Sequence, residues 1–213
     1  MFQVQVFTLY PEVFPGPLAE GLYGKALTNK LWNLNLINIR DAATDKHKTV
    51  DDTPYGGGTG MLLKADVLAN SLDQNVKKGE RIFYLSPKGK KFDQKFAQDL
   101  SKEKSISLIC GHFEGVDERV LTTRNIEEIS IGDYVLSGGE TAALVVLDSI
   151  LRLLPGVLGN NKSSVDETFE NGLLEYPQYT KPQIWEKKTV PDVLLSGDHS
   201  KIKDWRLSQS EAI

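Results

Sequence analysis

The sequence predicts an α/β fold built on a largely parallel open sheet with helices on both faces. Short runs with the two-residue periodicity of strands alternate with longer segments whose apolar residues recur at helical spacing. Several strand-like runs also end in glycine, proline or serine, where the chain must turn away from the sheet. Because strands joined in parallel need a long crossover, usually a helix, this alternation favours a parallel sheet.

The first third of the chain predicts two strands, a helix and a long loop. Residues 2–9 and 31–40 alternate apolar and polar side chains, and a helix is predicted to begin near Leu18 between them. Residues 41–60 contain too few apolar positions for either kind of element, and loops of that length in compact domains are usually functional or disordered. The loop ends in DDTPYGGGTG, which no Gly-Lys-Ser/Thr follows, so it is not a phosphate-binding loop.

The next hundred residues continue the alternation. The predicted elements are a helix over 64–76, a strand over 81–86, a helix over 93–102, a strand over 105–110, a short helix over 117–124, a strand over 126–131 and a helix over 140–154. The last helix is apolar nearly all round, which predicts burial against its own sheet and a second subunit. It carries Asp148 and Arg152 one turn apart, either as an intrahelical ion pair or with the arginine in a binding pocket.

The composition predicts a globular protein in two parts. Residues 1–158 form a catalytic-looking domain, the polar segment 159–172 is a flexible linker, and residues 173–213 form a C-terminal domain with one helix over 200–208. No apolar run approaches the ~20 residues of a membrane span. The single cysteine, Cys110, excludes an internal disulfide and fits a cytoplasmic protein. The net charge of −4 argues mildly against nucleic-acid binding, despite several clusters of lysine and arginine.

Two glycine-bracketed loops that follow neighbouring strands predict a ligand site. GHFEGVDER follows the strand over 105–110, and GDYVLSGGE follows the strand over 126–131. In open α/β sheets ligands bind beyond the carboxyl ends of the strands, where glycine lets the backbone approach them closely. Ordinary turns are the alternative. The histidines and the cysteine are too scattered for a zinc spacing rule, so a neutral, adenine-bearing ligand held by backbone groups suits this pocket best.

These loops also carry a resemblance to a known family. GHFEGVDERV and SIGDYVLSGGE, with VDDTPYGGGTGM, LSPKG, LPGVLG, GLLEYPQYT and VPDVLLSGDH, are similar to segments of the bacterial tRNA (guanine-N1)-methyltransferases. The segments follow in the family's order and span almost the whole chain. The resemblance implies the SPOUT fold, with a deep trefoil knot, and a small, mostly helical C-terminal tRNA-binding domain that is expected to be truncated here. It also implies a homodimer whose active sites combine residues of both subunits.

The implied activity is methylation of a guanosine in tRNA. The resemblance implies S-adenosylmethionine as the methyl donor and N1 of the guanosine at position 37, 3′ of the anticodon, as the target, with a role in reading-frame maintenance. A requirement for Mg²⁺ is possible and stays open. The alternatives are a knotted methyltransferase acting on ribosomal RNA and a cofactor-binding regulatory protein without catalysis.

The resemblance assigns cofactor contacts to three loops. By motif they are Leu85, Ser86 and Pro87; Gly111, Glu114 and Gly115; and Ser130, Ile131, Gly132, Tyr134, Leu136, Gly138 and Gly139. Within the second loop the family often has Arg-Tyr, where this chain has His112-Phe113.

The resemblance also implies the catalytic groups. Guanine N1 must lose its proton to a base while a cation stabilises the negative charge that develops at O6. Arg152 is the implied cation. Glu167, two residues before Phe169, takes the place of the family's aspartate base, and Asp166 is the rival candidate.

Overall fold

A computed structural model describes residues 1–158 and 176–210 of the chain. The chain divides into two compact units, Met1–Gly159 and Asn160–Ile213. The predicted linker, residues 159–172, lies outside the described residues. The boundaries of the predicted domains therefore stay a prediction.

The described part of the first unit contains seven strands and five α-helices, besides three short 3-10 turns. The strands are β1 (Phe2–Thr8), β2 (Trp32–Asn38), β3 (Asp51–Asp52), β4 (Leu62–Leu63), β5 (Arg81–Lys91), β6 (Ser105–Ile109) and β7 (Glu127–Ser130). The helices are α1 (Gly21–Thr28), α2 (Ala65–Asn75), α3 (Gln94–Leu100), α4 (Glu118–Thr123) and α5 (Glu140–Leu151).

Five of these strands form the predicted parallel sheet. Their order is β2-β1-β6-β5-β7, and every neighbouring pair is parallel. All five strands therefore end at the same edge, from which the loops to the next helices leave. This confirms the α/β fold class predicted from the alternation of elements. The trefoil knot stays a prediction from the resemblance.

The two faces of the sheet carry separate hydrophobic cores. One core packs α1, α3 and α5 against the sheet, and the other packs α2 and α4 against the opposite face. The two-residue period of the strands assigns side chains to the faces: Val4 and Val6 of β1 enter the first core, and Phe7 enters the second. Helices thus cover both faces, as the strand–helix alternation predicts.

Two predicted boundaries are wrong for reasons of backbone chemistry. Leu18 lies in a separate 3-10 turn, Gly16–Ala19, and α1 begins only at Gly21 because the residue between the turn and the helix, Glu20, is extended. The strand predicted to end at Ser86 continues to Lys91. Its pairing with β7 skips from Leu85 to Lys90, so the intervening Ser86-Pro87-Lys88-Gly89 segment leaves the ladder and the strand then rejoins it.

The helix predicted over 140–154 ends three residues early, at Leu151. Pro155 follows, and a proline disfavours helical backbone at the residue before it. The helix buries most of its apolar residues, including Val146 and Leu147, but leaves Val145 43% exposed. Burial by the sheet therefore accounts for most of its apolar surface.

The described part of the second unit is a hairpin followed by two helices. The hairpin pairs β8 (Ile184–Trp185) with β9 (Lys188–Thr189), and the helices are α6 (Asp192–Leu195) and α7 (His199–Gln209). Asp198 caps α7 by accepting hydrogen bonds from the backbone N–H groups of Ser200 and Lys201. The sequence predicted α7 within a residue at each end but did not predict the hairpin. In residues 1–158 and 176–210, every helix is too short or too polar to span a membrane.

Removing one buried leucine from either face is expected to destabilise the protein strongly. Leu147 and Leu68 are completely buried in the two cores, so Leu147→Ala and Leu68→Ala should each lower the free energy of unfolding by about 2–5 kcal/mol. Leu207→Ala is the control, because Leu207 of α7 is 63% exposed. Urea denaturation compares the three variants. A Leu68→Ala protein as stable as the control would contradict a second core.

Candidate active site

A pocket lies at the carboxyl ends of β6 and β7, where the sheet predicts a ligand site, and beside the segment 86–89 in which β5 leaves the ladder. Its volume is about 280 Å³, near the lower end of the range for small-molecule pockets. Its walls are the Ser86–Lys88 segment of β5, the loop 111–116 after β6 and the loop 130–139 between β7 and α5. Three loops that are separate in sequence thus enclose one cavity.

All thirteen residues assigned to the cofactor by motif line this pocket. They are Leu85, Ser86, Pro87, Gly111, Glu114, Gly115, Ser130, Ile131, Gly132, Tyr134, Leu136, Gly138 and Gly139. The structure therefore brings the predicted residues together. Their contact with a cofactor stays a prediction.

Glycine at position 139 lets the first turn of α5 touch the end of β6. The Gly139 N–H donates to the carbonyl oxygen of Gly111 over 2.9 Å. A Cβ at position 139 would lie 2.6 Å from Cα of Cys110 and 2.9 Å from the nitrogen of Gly111, both of them backbone atoms. Any side chain here must push the two segments apart, so this glycine is required by packing between protein segments.

A buried polar cluster behind the pocket was not predicted from the sequence. Glu140, the first residue of α5, is 7% exposed. Its Oε1 accepts a hydrogen bond of 2.6 Å from the hydroxyl of Thr8, and its Oε2 lies 2.7 Å from Nε2 of His112. The Thr8 hydroxyl in turn accepts from the Tyr10 N–H over 2.9 Å. A glutamate opening an otherwise apolar helix was the one sequence signal for this cluster.

This cluster fixes the loop that follows β6. His112 is held by Glu140 and also packs edge-on against the ring of Tyr10, with 5.0 Å between centroids. A buried carboxylate needs hydrogen-bond partners, because desolvation without them is costly. His112 therefore occupies a defined position in which it partners Glu140.

The glycine-rich loop, residues 51–60 (DDTPYGGGTG), ends next to the pocket loop that carries Glu114. The Glu114 N–H donates to the carbonyl oxygen of Met61 over 2.9 Å, and the Leu63 N–H donates to that of Gly115 over 3.0 Å. Gly60 has a φ of +99°, and a Cβ there would lie 2.5 Å from Cγ of Glu114. Position 60 thus requires glycine both for its left-handed backbone and for its closeness to the loop that carries Glu114.

The charged groups of the pocket are mainly acidic. Glu114, Glu118 and Glu128 line it, with Lys88 as the only lysine or arginine among the described lining residues. Burial, together with the nearby charge of Glu128, raises the pKa of Tyr84 to about 12, so its phenol stays protonated at neutral pH. This charge balance favours a cationic ligand over a phosphate-bearing one.

Cys110 is unsuited to nucleophilic chemistry. It is completely buried at the end of β6. Burial first, and then the neighbouring charge of Glu140, raise the pKa of its thiol well above the ordinary value. A thiol must ionise to act as a nucleophile, so Cys110 serves as a small packing residue beneath Gly139.

The predicted catalytic residues are only partly described. Arg152 is half-buried at the C-terminal end of α5. The carboxylate of Asp148 accepts a hydrogen bond of 3.0 Å from the Tyr23 hydroxyl on α1, a partner that the sequence did not predict. Glu167 and Asp166 lie outside the described residues. Among residues 1–158 and 176–210, no group of three or more histidine, cysteine, aspartate or glutamate side chains is arranged to hold a metal ion.

Comparison with known proteins gives matches over the whole chain. A family model described as tRNA (Guanine-1)-methyltransferase TrmD matches residues 2–212. The chain is 80% identical over 213 residues to the tRNA (guanine-N(1)-)-methyltransferase of Pelagibacter ubique strain HTCC1062. The aligned region covers all of this chain and 93% of that protein. It is 57% identical over 212 residues to the protein of the same name from Bartonella tribocorum, with 91% of that protein covered.

Replacing Thr8 by valine is expected to destabilise the protein without changing side-chain shape. The change removes one hydrogen bond to buried Glu140 and leaves the Tyr10 N–H without its acceptor, so the free energy of unfolding should fall by about 1–3 kcal/mol. Thr141→Val, next to Glu140 but on the exposed side of α5, is the control and should be nearly neutral. Urea denaturation measures both. Equal effects would mean that the buried bond contributes nothing specific.

Proposed function

Because the chain belongs to the tRNA (guanine-1)-methyltransferase TrmD family, we propose that it methylates the guanosine at tRNA position 37, 3′ of the anticodon. The family activity is transfer of a methyl group from S-adenosylmethionine to N1 of a guanine in tRNA. The observation that supports this activity for the present chain is that all thirteen motif residues line one pocket. Methylation at that position is expected to support reading-frame maintenance, in the cytoplasm, where tRNA is used.

The residues of the pocket fit S-adenosylmethionine. Its apolar side chains, among them Leu85, Ile131 and Leu136, can pack against a neutral purine, and the Ser86 and Ser130 hydroxyls add polar groups. The sulfonium and ammonium groups carry positive charge, which the carboxylates of Glu114, Glu118 and Glu128 complement. When bound, S-adenosylmethionine supplies the electrophilic methyl group.

The chain's own residues orient the guanine and move its proton. We assign charge stabilisation at O6 to Arg152, whose backbone is fixed by the last turn of α5. Glu167 is proposed to accept the N1 proton and Asp166 to be the rival, because both lie in the segment that the family uses for this step. Glu114, whose backbone the glycine-rich loop holds in place, is proposed to approach the methionyl amino group or the target base.

We also propose a homodimer with shared active sites. Val145 of α5 is 43% exposed, and Leu22 is 50% exposed on α1, the helix whose Tyr23 hydrogen-bonds to Asp148 of α5. A second subunit that covers them would complete the burial predicted for this helix. Light scattering should give twice the chain mass, and an active monomer would contradict the dimer.

Residues 173–213 are proposed to bind tRNA, and the loops around the pocket are proposed to form the trefoil knot.

A positive charge placed in the pocket wall should weaken cofactor binding. Gly139 is a poor position for this test, because a side chain there would disturb backbone packing. Leu136 is the better position, because it lies on the 130–139 loop of the pocket and is 39% exposed. Leu136→Lys adds a charge that must be desolvated against the purine and that repels the sulfonium, so the Kd for S-adenosylmethionine measured by calorimetry should rise more than about tenfold. Leu207→Lys, at a 63% exposed position of α7, should bind like the wild type. Unchanged affinity in Leu136→Lys would place the cofactor elsewhere.

The proposed activity and its base are tested in one single-turnover assay. The wild type should methylate a tRNA transcript with guanosine at position 37 and leave the same transcript with adenosine there unmodified. Glu167→Gln should lower the rate of methyl transfer by ~10²–10⁴ while cofactor affinity is preserved, and Asp166→Asn should lower it far less. Arg152→Ala should cost ~10²–10³ in rate. The reverse ranking of the two carboxylate variants would make Asp166 the base.

A further inference from the structure

The hairpin of the second unit places an aromatic ring and a cation side by side. Trp185 of β8 and Lys188 of β9 are paired directly across the antiparallel ladder, so their side chains project from the same face of the ribbon. The two residues that join the strands, Glu186 and Lys187, have φ values of 48° and 66°. Positive φ at both central residues is what a tight type I′ turn requires, and such a turn fixes the register of the pair.

Trp185 and Lys188 form one wall of a cleft contained within the second unit. The cleft has a volume of about 430 Å³ and is closed on its other side by the segment 178–183, which contributes the ring of Tyr179 and the side chain of Lys181. Trp185 is 60% and Tyr179 49% exposed, which is unusual for rings of this size. Two large apolar surfaces therefore remain accessible in a concave site.

The second unit supports this cleft from behind. The ring of Tyr179 packs against that of Trp205 on α7, with 6.3 Å between centroids, and the guanidinium of Arg206 lies 4.9 Å from the centroid of Tyr176. The Val190 N–H donates to the Gln183 carbonyl over 3.1 Å, which extends the hairpin into the segment that closes the cleft. The exposed rings thus stand on fixed backbone, so little order has to be gained when a ligand binds.

The charge of the cleft is opposite to that of the pocket in the first unit. Lys181 and Lys188 line it and no carboxylate is among the described lining residues, while the adjoining turn holds one residue of each sign, Glu186 and Lys187. Exposed aromatic rings with adjacent lysines are the combination with which proteins hold unpaired nucleotides, because the ring stacks on a base and the cation meets its phosphate. A protein partner would also pack against the rings, but it would not require that the charged residues of the lining all be lysines.

We propose that the cleft between Trp185 and Tyr179 binds an unpaired base of the tRNA, with Lys188 against the neighbouring phosphate. This inference rests on the proposed function, because it is the tRNA substrate that brings single-stranded loops to the protein. Base stacking of this kind tolerates any sequence, since every base has a π-face. The cleft therefore contributes affinity for tRNA and leaves the choice of guanosine to the active site.

Affinity measurements on the full chain test the cleft. Trp185→Ala should raise the Kd for a tRNA transcript about tenfold, a loss typical of one stacked base, and Trp185→Phe should restore most of it. Ile184→Ala is the matched control, because Ile184 is 62% exposed on the next residue and points to the other face of the hairpin. Lys188→Gln should reduce the slope of log affinity against log salt by about 0.7.

Two further arms make the result decisive. A blunt-ended RNA duplex, which has no unpaired base, should bind wild type and Trp185→Ala equally, whereas a single-stranded RNA should discriminate them. Methylation of the transcript by the wild type is measured first, so absence of turnover would count against the proposed function itself. Wild-type turnover with the same Kd for Trp185→Ala and Ile184→Ala would overturn the nucleotide cleft alone and leave its rings to a protein partner.

Discussion

The close contact between the start of α5 and the end of β6 is the constraint on which the pocket depends. Gly139 donates a hydrogen bond to the carbonyl of Gly111, and no larger residue fits because the backbone of Cys110 lies 2.6 Å from where its Cβ would be. These two segments begin and end the loops that line the cavity. If they separated, the walls of the pocket would no longer face each other.

Glu140 strengthens this contact through both oxygens of its buried carboxyl group. One oxygen holds Thr8 at the end of β1, and the other holds His112 in the loop after β6. A helix start is also favourable for a negative charge, because the backbone N–H groups of the first turn point towards it. One side chain thus connects the ends of β1 and β6 to the start of α5. Through His112 it also holds the loop that carries Glu114.

The linings of the pocket and of the cleft differ in charge in the way that the two substrates of a tRNA methyltransferase require. Carboxylates predominate around the pocket of the first unit, which suits a methyl donor with a sulfonium group. Lysines predominate around the cleft of the second, which suits a polyanion. The net charge of −4 argued mildly against a nucleic-acid partner, and that argument is wrong because the chain belongs to a family of tRNA methyltransferases.

The sequence by itself determined the fold class and two of the loops that form the pocket, whereas the individual lining residues came from the family resemblance. Strand periodicity and glycine-bracketed loops are local properties, and parallel strands that end at one edge must bring such loops together. The sequence did not predict that β5 leaves the ladder between Leu85 and Lys90, or that α1 begins only at Gly21. Both features depend on how backbone segments fit against their neighbours.

Only the tertiary structure decided which polar groups support the site. Thr8 and Glu140 are 132 residues apart, and His112 and Glu140 are 28 apart, so no spacing rule connects them. The hairpin that pairs Trp185 with Lys188 was equally hidden, since its turn has no glycine or asparagine at the positions of positive φ. Local patterns determine which elements form, whereas contacts between distant residues depend on the three-dimensional packing of those elements.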